Sequence, residues 1–438
     1  MTPALNPTRP GLLLLPGLFG FFLSARSILA ILLFSREPQQ ASIVSVSLSL
    51  TFLAAAMLAT IGSTPSIPSS AFRNPVLRCF IIFFGLNFLS LLWTEAPLGA
   101  AAVYLSAWCA EAVTIWFLLR SGFATQQAAA VMKGYVWGAA VVCAVAWLLP
   151  TLPDLRLGDV DLFHPNAIGL TSAIGALLAI HLSHENKAWR LPAFWLVLTL
   201  IRTISKTSIV AFLIAATFYL FRNTRLSRAT KVKIGLTGVA IIASLSAPLI
   251  DYFQAYSEST DPSTLTGRTV IWASASDIAI KKPLLGHGFY SFRFLIPPID
   301  TFEAQHAHNE FLQQFFTLGS IGVIVVATLY IVFFLQIRRT PRSNITHLAA
   351  ALLIFALLHG LTDTLAFDLS YPLWLMAMFS ILLAAETSRA TASAATISNR
   401  EPLLQPSRAT QQPPVATNPG TKPRADLIPP RNPSSATT

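Results

Sequence analysis

The sequence predicts an all-α polytopic membrane protein of about twelve transmembrane helices, and two observations lead to this fold class. Of its 438 residues, 54% are hydrophobic and only 11% are charged, whereas a soluble domain carries about 25% charged residues. Apolar runs of roughly 20 residues, long enough to cross a bilayer as a helix, recur along the chain. The net charge of +11 is typical of basic cytoplasmic loops, and no motif indicates a nucleic-acid partner.

The predicted spans follow one another from the N-terminus. The first resembles a secretory signal peptide, but it lacks a clear small-x-small cleavage site and more spans follow, so we interpret it as a membrane helix. Each of the three cysteines lies inside an apolar run and is expected in the core. The spans cover, within a few residues, about 11–34, 41–62, 76–93, 99–120, 128–149, 166–183, 190–204, 207–221, 234–250, 312–336, 347–366 and 371–386.

Lysine and arginine are concentrated in every second loop along the chain, and this pattern predicts the orientation of the chain in the membrane. The opposite loops, 94–97, 150–165 and 251–311, are acidic or mixed. Residues 1–386 therefore form the predicted membrane domain, both termini are cytoplasmic and 251–311 is one large outward loop. The tail 387–438, rich in Pro, Ala, Ser and Thr, is predicted to be disordered. The basic set contains Arg120, Lys133, Lys187, Arg190, Arg222, Arg225, Arg228, Lys231, Lys233, Arg338, Arg339 and Arg342.

Ionisable groups near membrane depth usually mark a substrate path or a site, and here they cluster on the outward side. Arg202 and Lys206 flank a predicted outward turn; if the segment is helical, they share a face and suit an anionic headgroup. Arg268 precedes a predicted helix, Thr269 to Lys282, whose N-terminus also favours an anion. Snorkelling to lipid headgroups is the alternative for the first pair.

The stretch "EAQHAHNEFLQQFFTLGSIG", 303–322, places polar groups at the start of an apolar span. His308 is the candidate general base, since imidazole titrates near neutrality; capping within the loop is the alternative. Asn309 follows it. His306, two residues away, would face elsewhere on a helix. Glu310 either orients His308 or is solvated.

Two patterns suggest a metal only weakly. "DVD", 159–161, has the spacing of a metal-binding triplet, but such triplets are frequent by chance. His306-Ala-His308 could chelate zinc, yet no cysteine or third histidine has suitable spacing. The chain has no Walker motif, no dinucleotide-binding fingerprint and no G-x-S-x-G elbow. The sequence therefore predicts neither a metal nor another cofactor.

Five stretches in order resemble the O-antigen ligase and polymerase family of bacterial membrane glycosyltransferases, which includes exopolysaccharide polymerases. "SLLWTEAPLGAA" (90–101) is similar to a Ser–Trp–acid–Pro turn, and "FHPNAIG" (163–169) to a His/Asn–Gly helix start. "SKTSIVAF" (205–212) lies where the family has Ser-Arg-Thr or Ser-Lys-Thr. "GRTVIWASASDIAIKKPLLGHGFYSF" (267–292) and "HAHNEFLQQFFTLGSIG" (306–322) match its Gly-Arg–Trp–Pro–Leu-Gly-x-Gly and His-Asn–Leu–Leu-Gly patterns.

The resemblance implies a GT-C-like helical assembly in the bacterial inner membrane that acts at the periplasmic face. It implies an inverting, metal-independent transferase. The donor is a glycan on undecaprenyl diphosphate, and the acceptor is the lipid A core or a growing polysaccharide.

By motif, the catalytic residues would be His308, Arg268 and Lys206. The resemblance makes His308 the base and gives the diphosphate to the two cations. Substrate binding would involve Arg202, Asn309, His164 and Asn166. Ligases often carry arginine at the position of Lys206, and lysine there is more similar to the polymerases.

A transporter or flippase for a lipid-linked or anionic substrate is the alternative from another class. It should carry charges at the bilayer midplane and on both faces, whereas the charges of this sequence gather outside. A scaffold acting through its tail would leave that outward cluster unexplained.

Overall fold

The computed structural model describes residues 11–26, 28, 38–61, 74–120, 123–152, 156–158, 163–222, 227–233, 235–236, 268–298, 303–364 and 373–398, and it is helical throughout these ranges apart from connecting turns. The helices in chain order are α1 Gly11–Ala25, α2 Pro38–Thr60, α3 Pro75–Ser90, α4 Leu98–Leu119, α5 Ala124–Leu148, α6 Pro165–Leu182, α7 Arg190–Arg202, α8 Lys206–Arg222, α9 Arg268–Ala279, α10 Phe292–Leu295, α11 Glu310–Arg339, α12 Asn344–Gly360 and α13 Leu373–Ser398.

Six of the described helices are long and apolar enough to cross a membrane, over residues 43–60, 98–119, 124–148, 165–182, 310–339 and 373–392. Three shorter apolar helices cover 13–25, 75–90 and 344–360. The all-helical membrane class is therefore confirmed, while the number twelve stays a prediction. The predicted span 234–250 lies almost entirely outside the described residues, and 251–267, the first part of the predicted outer loop, lies wholly outside them.

Close backbone packing holds α1 against α5. A Cβ atom on Gly20 would lie 2.1 Å from the carbonyl oxygen of Val131, and one on Gly134 would lie 1.9 Å from that of Gly17. Only glycine permits such an approach, and small residues are the usual contact of helices in lipid. The Ser24 hydroxyl adds a hydrogen bond to the Tyr135 carbonyl at 2.9 Å.

Helix α11 is broken at Gly319, where φ is 67° and ψ is −161°. The loop 283–288 enters this break: the amide of Ser320 donates to the Pro283 carbonyl (2.8 Å), and that of Gly288 to the Thr317 carbonyl (2.8 Å). These bonds satisfy backbone groups that the break frees from the helical pattern. The loop 283–288 is therefore attached to α11 at the position of the break.

A second set of contacts joins the same loop to the turn after α3. The Glu95 carboxylate binds Lys282 and lies 3.0 Å from His287 Nδ1. His287 is buried, so it is more than the simple turn residue its flanking glycines suggest. These partners lower the pKa of Glu95, the hydrogen bond from Lys282 most strongly. The turn 94–97 and the loop 283–288 form one polar joint at this end of the helices.

The last helix, α13, ends at Ser398 and so passes the boundary predicted at residue 386. The correction has a simple cause: Ala, Glu and Arg at 384–392 are good helix formers that allow the helix to continue beyond its apolar part. By contacts the chain divides into Met1–Ala390 and Thr391–Thr438. Residues 399–438 lie outside the described part of the chain.

Candidate active site

The predicted site residues come from four segments at one end of the helices. These are the start of α6, the turn between α7 and α8, the start of α9 and the segment before α11, and the turn after α12 joins them. The Asn309 amide donates to the Leu361 carbonyl (2.9 Å) and Thr207 contacts Thr362 through their hydroxyls (2.6 Å). Both the α11 entrance and the α8 start therefore contact the turn after α12.

His308 faces Asp363, an acidic residue 55 positions further along the chain. The His308 Nδ1 atom lies 3.4 Å from Asp363 Oδ1, and His306 Nδ1 lies 3.8 Å from the same oxygen. The two imidazole rings are 4.1 Å apart by centroid. The prediction that His306 faces away is wrong, because the segment 304–308 is a loop and helical spacing does not apply to it.

His308 adopts a left-handed backbone conformation with φ of 49°, which costs free energy in a residue other than glycine. The loop is held in place on both sides. The Trp272 indole of α9 donates to the Ala307 carbonyl (2.8 Å), and the Ala307 amide donates to Gln313 Oε1 of α11 (2.8 Å). These two anchors fix the direction of the His308 side chain.

Asn309 and Glu310 begin α11 and have structural partners. The Asn309 side chain caps the helix by accepting from the Leu312 amide at 3.0 Å, which satisfies an N-terminal N–H group. Glu310 is buried, and its carboxylate accepts a hydrogen bond from the side-chain amide of Gln314 (3.1 Å). Glu310 is therefore not solvated, and Asp363 is an acid that lies beside the imidazole.

His164 caps α6, because its Nδ1 atom accepts from the Asn166 amide at 3.2 Å. Burial, and after it the charge of Arg156, lower the pKa of His164 to about 4. A neutral imidazole is what an accepting Nδ1 requires. The side-chain oxygen of Asn166, Oδ1, in turn accepts a hydrogen bond from Arg156 Nη2 at 2.8 Å.

Arg156 links two parts of the site. Besides its bond to Asn166, its Nε atom donates to the Thr203 carbonyl in the turn between α7 and α8 (2.9 Å). Sequence reasoning missed this residue because the loop 150–165 looked merely acidic or mixed. The signal was available: an arginine eight residues before the His164 cap in an otherwise acidic loop.

Arg202 and Lys206 do not share a helix. Arg202 ends α7, Lys206 begins α8, and Ile204 between them has φ of 53°. This is a strained value for a β-branched residue, and it reverses the chain so that the expected shared face does not form. Lys206 is exposed and Arg202 is half-buried.

Arg268 begins α9 and lies close enough to the histidines to act on them electrostatically. Its charge contributes to lowering the pKa of both His164 and His306, in each case after the larger effect of burial. The helix that Arg268 begins also contacts the His308 loop, through the bond from Trp272 to the Ala307 carbonyl. Gly267, the partner of Arg268 in the sequence motif, lies outside the described residues, as does 159–161.

Asp363 is held as a carboxylate. Burial alone would raise its pKa, but the neighbouring His308, His359 and His306 outweigh that effect and lower it well below its usual range. Sequence reasoning missed Asp363 because it lies within the predicted span 347–366. An acidic residue inside a predicted apolar span was the available signal.

A family model described as O-antigen ligase matches residues 191–327. The match supports the resemblance of this chain to the O-antigen ligase and polymerase family. No curated protein matches the chain. The matched family indicates an O-antigen ligase- or polymerase-type activity of a glycosyltransferase-like enzyme, and it implies lipid-linked polysaccharide substrates. Together with the apolar helices, it indicates a multi-pass protein of the inner membrane.

The O-antigen ligase match covers one part of the site. It includes Arg202, Lys206, Arg268, His308 and Asn309. His164 and Asn166 precede it, as does Arg156, and Asp363 follows it. The family's Leu-Gly-x-Gly and Leu-Gly patterns now have a structural reason, since Gly286, Gly288 and Gly319 all have positive φ where the loop meets the helix break.

Proposed function

We propose that this protein transfers a glycan from undecaprenyl diphosphate to an acceptor hydroxyl at the periplasmic face of the inner membrane, in the manner of an O-antigen ligase. The observation that carries the proposal is the approach of Asp363 to His308 in a site that also contains Arg268. An imidazole beside a carboxylate is a common general base, and fixed cations suit a diphosphate leaving group.

His308 acts as the base of the reaction. The Asp363 carboxylate lies by Nδ1 and favours the tautomer with its proton on that atom, which leaves the Nε2 lone pair for the substrate. Nε2 takes the proton of the acceptor hydroxyl as its oxygen forms a bond to the anomeric carbon. The carbon–oxygen bond to the diphosphate breaks on the opposite face, so the configuration inverts and the electron pair leaves with the diphosphate.

Arg268 and Lys206 stabilise the negative charge that grows on the diphosphate as it leaves. Arg202, at the end of α7 and four residues before Lys206, assists in binding the substrate. No step of this chemistry needs a metal, because the leaving group is already activated and its charge is met by the side chains. Arg156, His164 and Asn166 support the site by fixing the α6 start against the α7–α8 turn.

A polymerase of the same family is the second candidate, favoured by one observation. Lys206 offers a single point charge where ligases often have the two-pronged guanidinium of arginine. The acceptor would then be the next repeat unit or a growing exopolysaccharide in place of the lipid A core.

The test compares His308→Ala and Arg268→Ala with the wild type in a strain that lacks the gene. We expect both variants to insert into the membrane and to lose glycan transfer. Wild-type glycan output from both would contradict the proposal, and a flippase would instead fail to present the carrier-linked donor outside. Loss of lipid A-linked glycan with intact carrier-linked polymer indicates a ligase; accumulation of single carrier-linked repeats indicates a polymerase.

A further inference from the structure

The cluster of His306, His308 and Asp363 has the donors and spacing of a metal site. One donor atom of each residue lies within 4.8 Å of the others. The sequence argued against a zinc site because no cysteine or third histidine lies at a suitable spacing from the His306-Ala-His308 pair. Asp363 supplies that ligand from the turn after α12, a position that linear spacing does not reveal.

The distances in this cluster are close to those between ligands around a shared ion. The Nδ1 atoms of His308 and His306 lie 3.4 Å and 3.8 Å from Asp363 Oδ1, longer than an ordinary N–H···O hydrogen bond of about 2.9 Å. Ligands at about 2.0–2.1 Å from a tetrahedral zinc ion are separated by about 3.3–3.5 Å. The observed spacing therefore needs only small shifts to accept zinc.

Each histidine places its Nδ1 atom toward Asp363, and a metal there would displace the proton that His308 Nδ1 carries in the proposed mechanism. The Nδ1 atom of His306 accepts a long hydrogen bond from the His308 amide at 3.3 Å, so it carries no proton. The Nδ1 atom of His308 is buried and has no hydrogen-bond partner within the described residues. A buried ring nitrogen without a partner is costly, and a metal would satisfy it.

The ligands select the kind of cation. Mg²⁺ and Ca²⁺ prefer sites made of oxygen ligands, and this cluster offers a single carboxylate. Two imidazoles and one carboxylate instead suit Zn²⁺ and its neighbours, which bind nitrogen tightly. Three protein ligands leave one tetrahedral position open.

We propose that His306, His308 and Asp363 form a zinc-binding site, and that zinc bound there inhibits the enzyme. The inhibition rests on the proposed function, in which His308 is the base. Coordination at Nδ1 moves the proton of the neutral ring to Nε2, so the lone pair that accepts the hydroxyl proton is lost. The ion also takes the carboxylate from its place beside the imidazole.

The binding test uses the full-length protein, purified in detergent with a tag that is not polyhistidine and stripped with EDTA. We expect one equivalent of CoCl₂ to give the visible absorption of four- or five-coordinate Co²⁺, ZnCl₂ to abolish it and MgCl₂ to leave it unchanged. His306→Ala should lose the absorption, while His184→Ala, at the other end of the helices, should keep it. Absence of the absorption in wild-type protein overturns the proposal.

The inhibition test measures glycan transfer by the same samples in lipid vesicles, as the rate with ZnCl₂ divided by the metal-free rate. We expect this ratio to fall at least tenfold below one for the wild type, to recover with EDTA and to stay near one for His306→Ala relative to its own metal-free rate. Stoichiometric binding with no change in the wild-type ratio overturns the inhibitory role. Binding without transfer by any metal-free sample supports the metal site and contradicts the proposed function.

Discussion

His308 and Asp363 illustrate how single residues of this protein acquire a role from their surroundings. Each is unremarkable in the sequence: one lies in a polar loop, the other inside a predicted span. The strained φ of 49° at His308 and the anchors from Trp272 and Gln313 hold the imidazole where the carboxylate meets it. Backbone strain that persists against its cost is often found at functional sites.

Asp363→Asn tests the orienting role of the carboxylate. The amide has the same shape, but it is neutral and can donate to Nδ1, which favours the tautomer with the proton on Nε2. We expect the rate of glycan transfer to fall roughly 10²–10⁴-fold while the amount of folded protein stays the same. The measurement is the transfer rate of purified protein in vesicles.

Asp277→Asn is the matched control, because this residue is exposed on α9 and has no place in the proposed mechanism. Its transfer rate should equal that of the wild type. An Asp363→Asn rate within twofold of the control would contradict the orienting role and leave His308 without an acidic partner.

The break in α11 is the feature that organises the elements around the site. The helix carries the His308 loop at its start, the loop 283–288 enters at Gly319, and that loop also meets the turn after α3. Gly286 and Gly319 approach the opposite backbone so closely that a Cβ atom would lie 2.5 Å from the Thr317 carbonyl carbon and 2.2 Å from the Leu284 carbonyl oxygen. No side chain fits at either position.

Gly319→Ala tests this joint. Alanine has no favourable conformation at φ 67°, ψ −161°, and its methyl group collides with the Leu284 carbonyl. We expect a loss of roughly 3 kcal/mol in stability, seen as a lower Tm of the detergent-solubilised protein by size-exclusion chromatography after heating. Gly85→Ala, where nothing lies within 4 Å of the added atom, is the control; equal Tm values for the two variants would show that the break bears no strain.

The elements also show how far the sequence could be interpreted. Apolar runs predicted the helical membrane class, because that class depends on local composition. The motifs and their order predicted the family, because they are short stretches that can be recognised without the fold. The relation of Arg202 to Lys206 could not be predicted, since it depends on the left-handed φ of Ile204. The pairing of His306 with His308, and the approach of Asp363 to both, depend on loop geometry and a contact across 55 residues. Spacing rules for regular helices describe neither.

At the scale of the whole molecule, two helices that begin at the site, α8 and α11, end at arginine residues of the basic loops. Helix α8 begins at Lys206 and ends at Arg222, and α11 begins at Glu310 and ends at Arg338 and Arg339. At 1.5 Å per residue, the part of α11 after its break at Gly319, residues 320–339, extends about 30 Å, which is the thickness of the hydrocarbon core. The site and the basic ends therefore suit opposite faces of one bilayer.

The orientation of the molecule can be tested with single cysteines in a background lacking Cys79, Cys109 and Cys143. Lys281 and Arg342 are both exposed; the first lies near the site end, and the second follows α11 in a basic loop. Because basic loops are retained in the cytoplasm, we expect a membrane-impermeant maleimide to label Lys281→Cys in intact spheroplasts and to label Arg342→Cys only after lysis. Labelling of Arg342→Cys alone before lysis would place the His308 site on the cytoplasmic face, where the proposed transfer to a periplasmic acceptor could not occur.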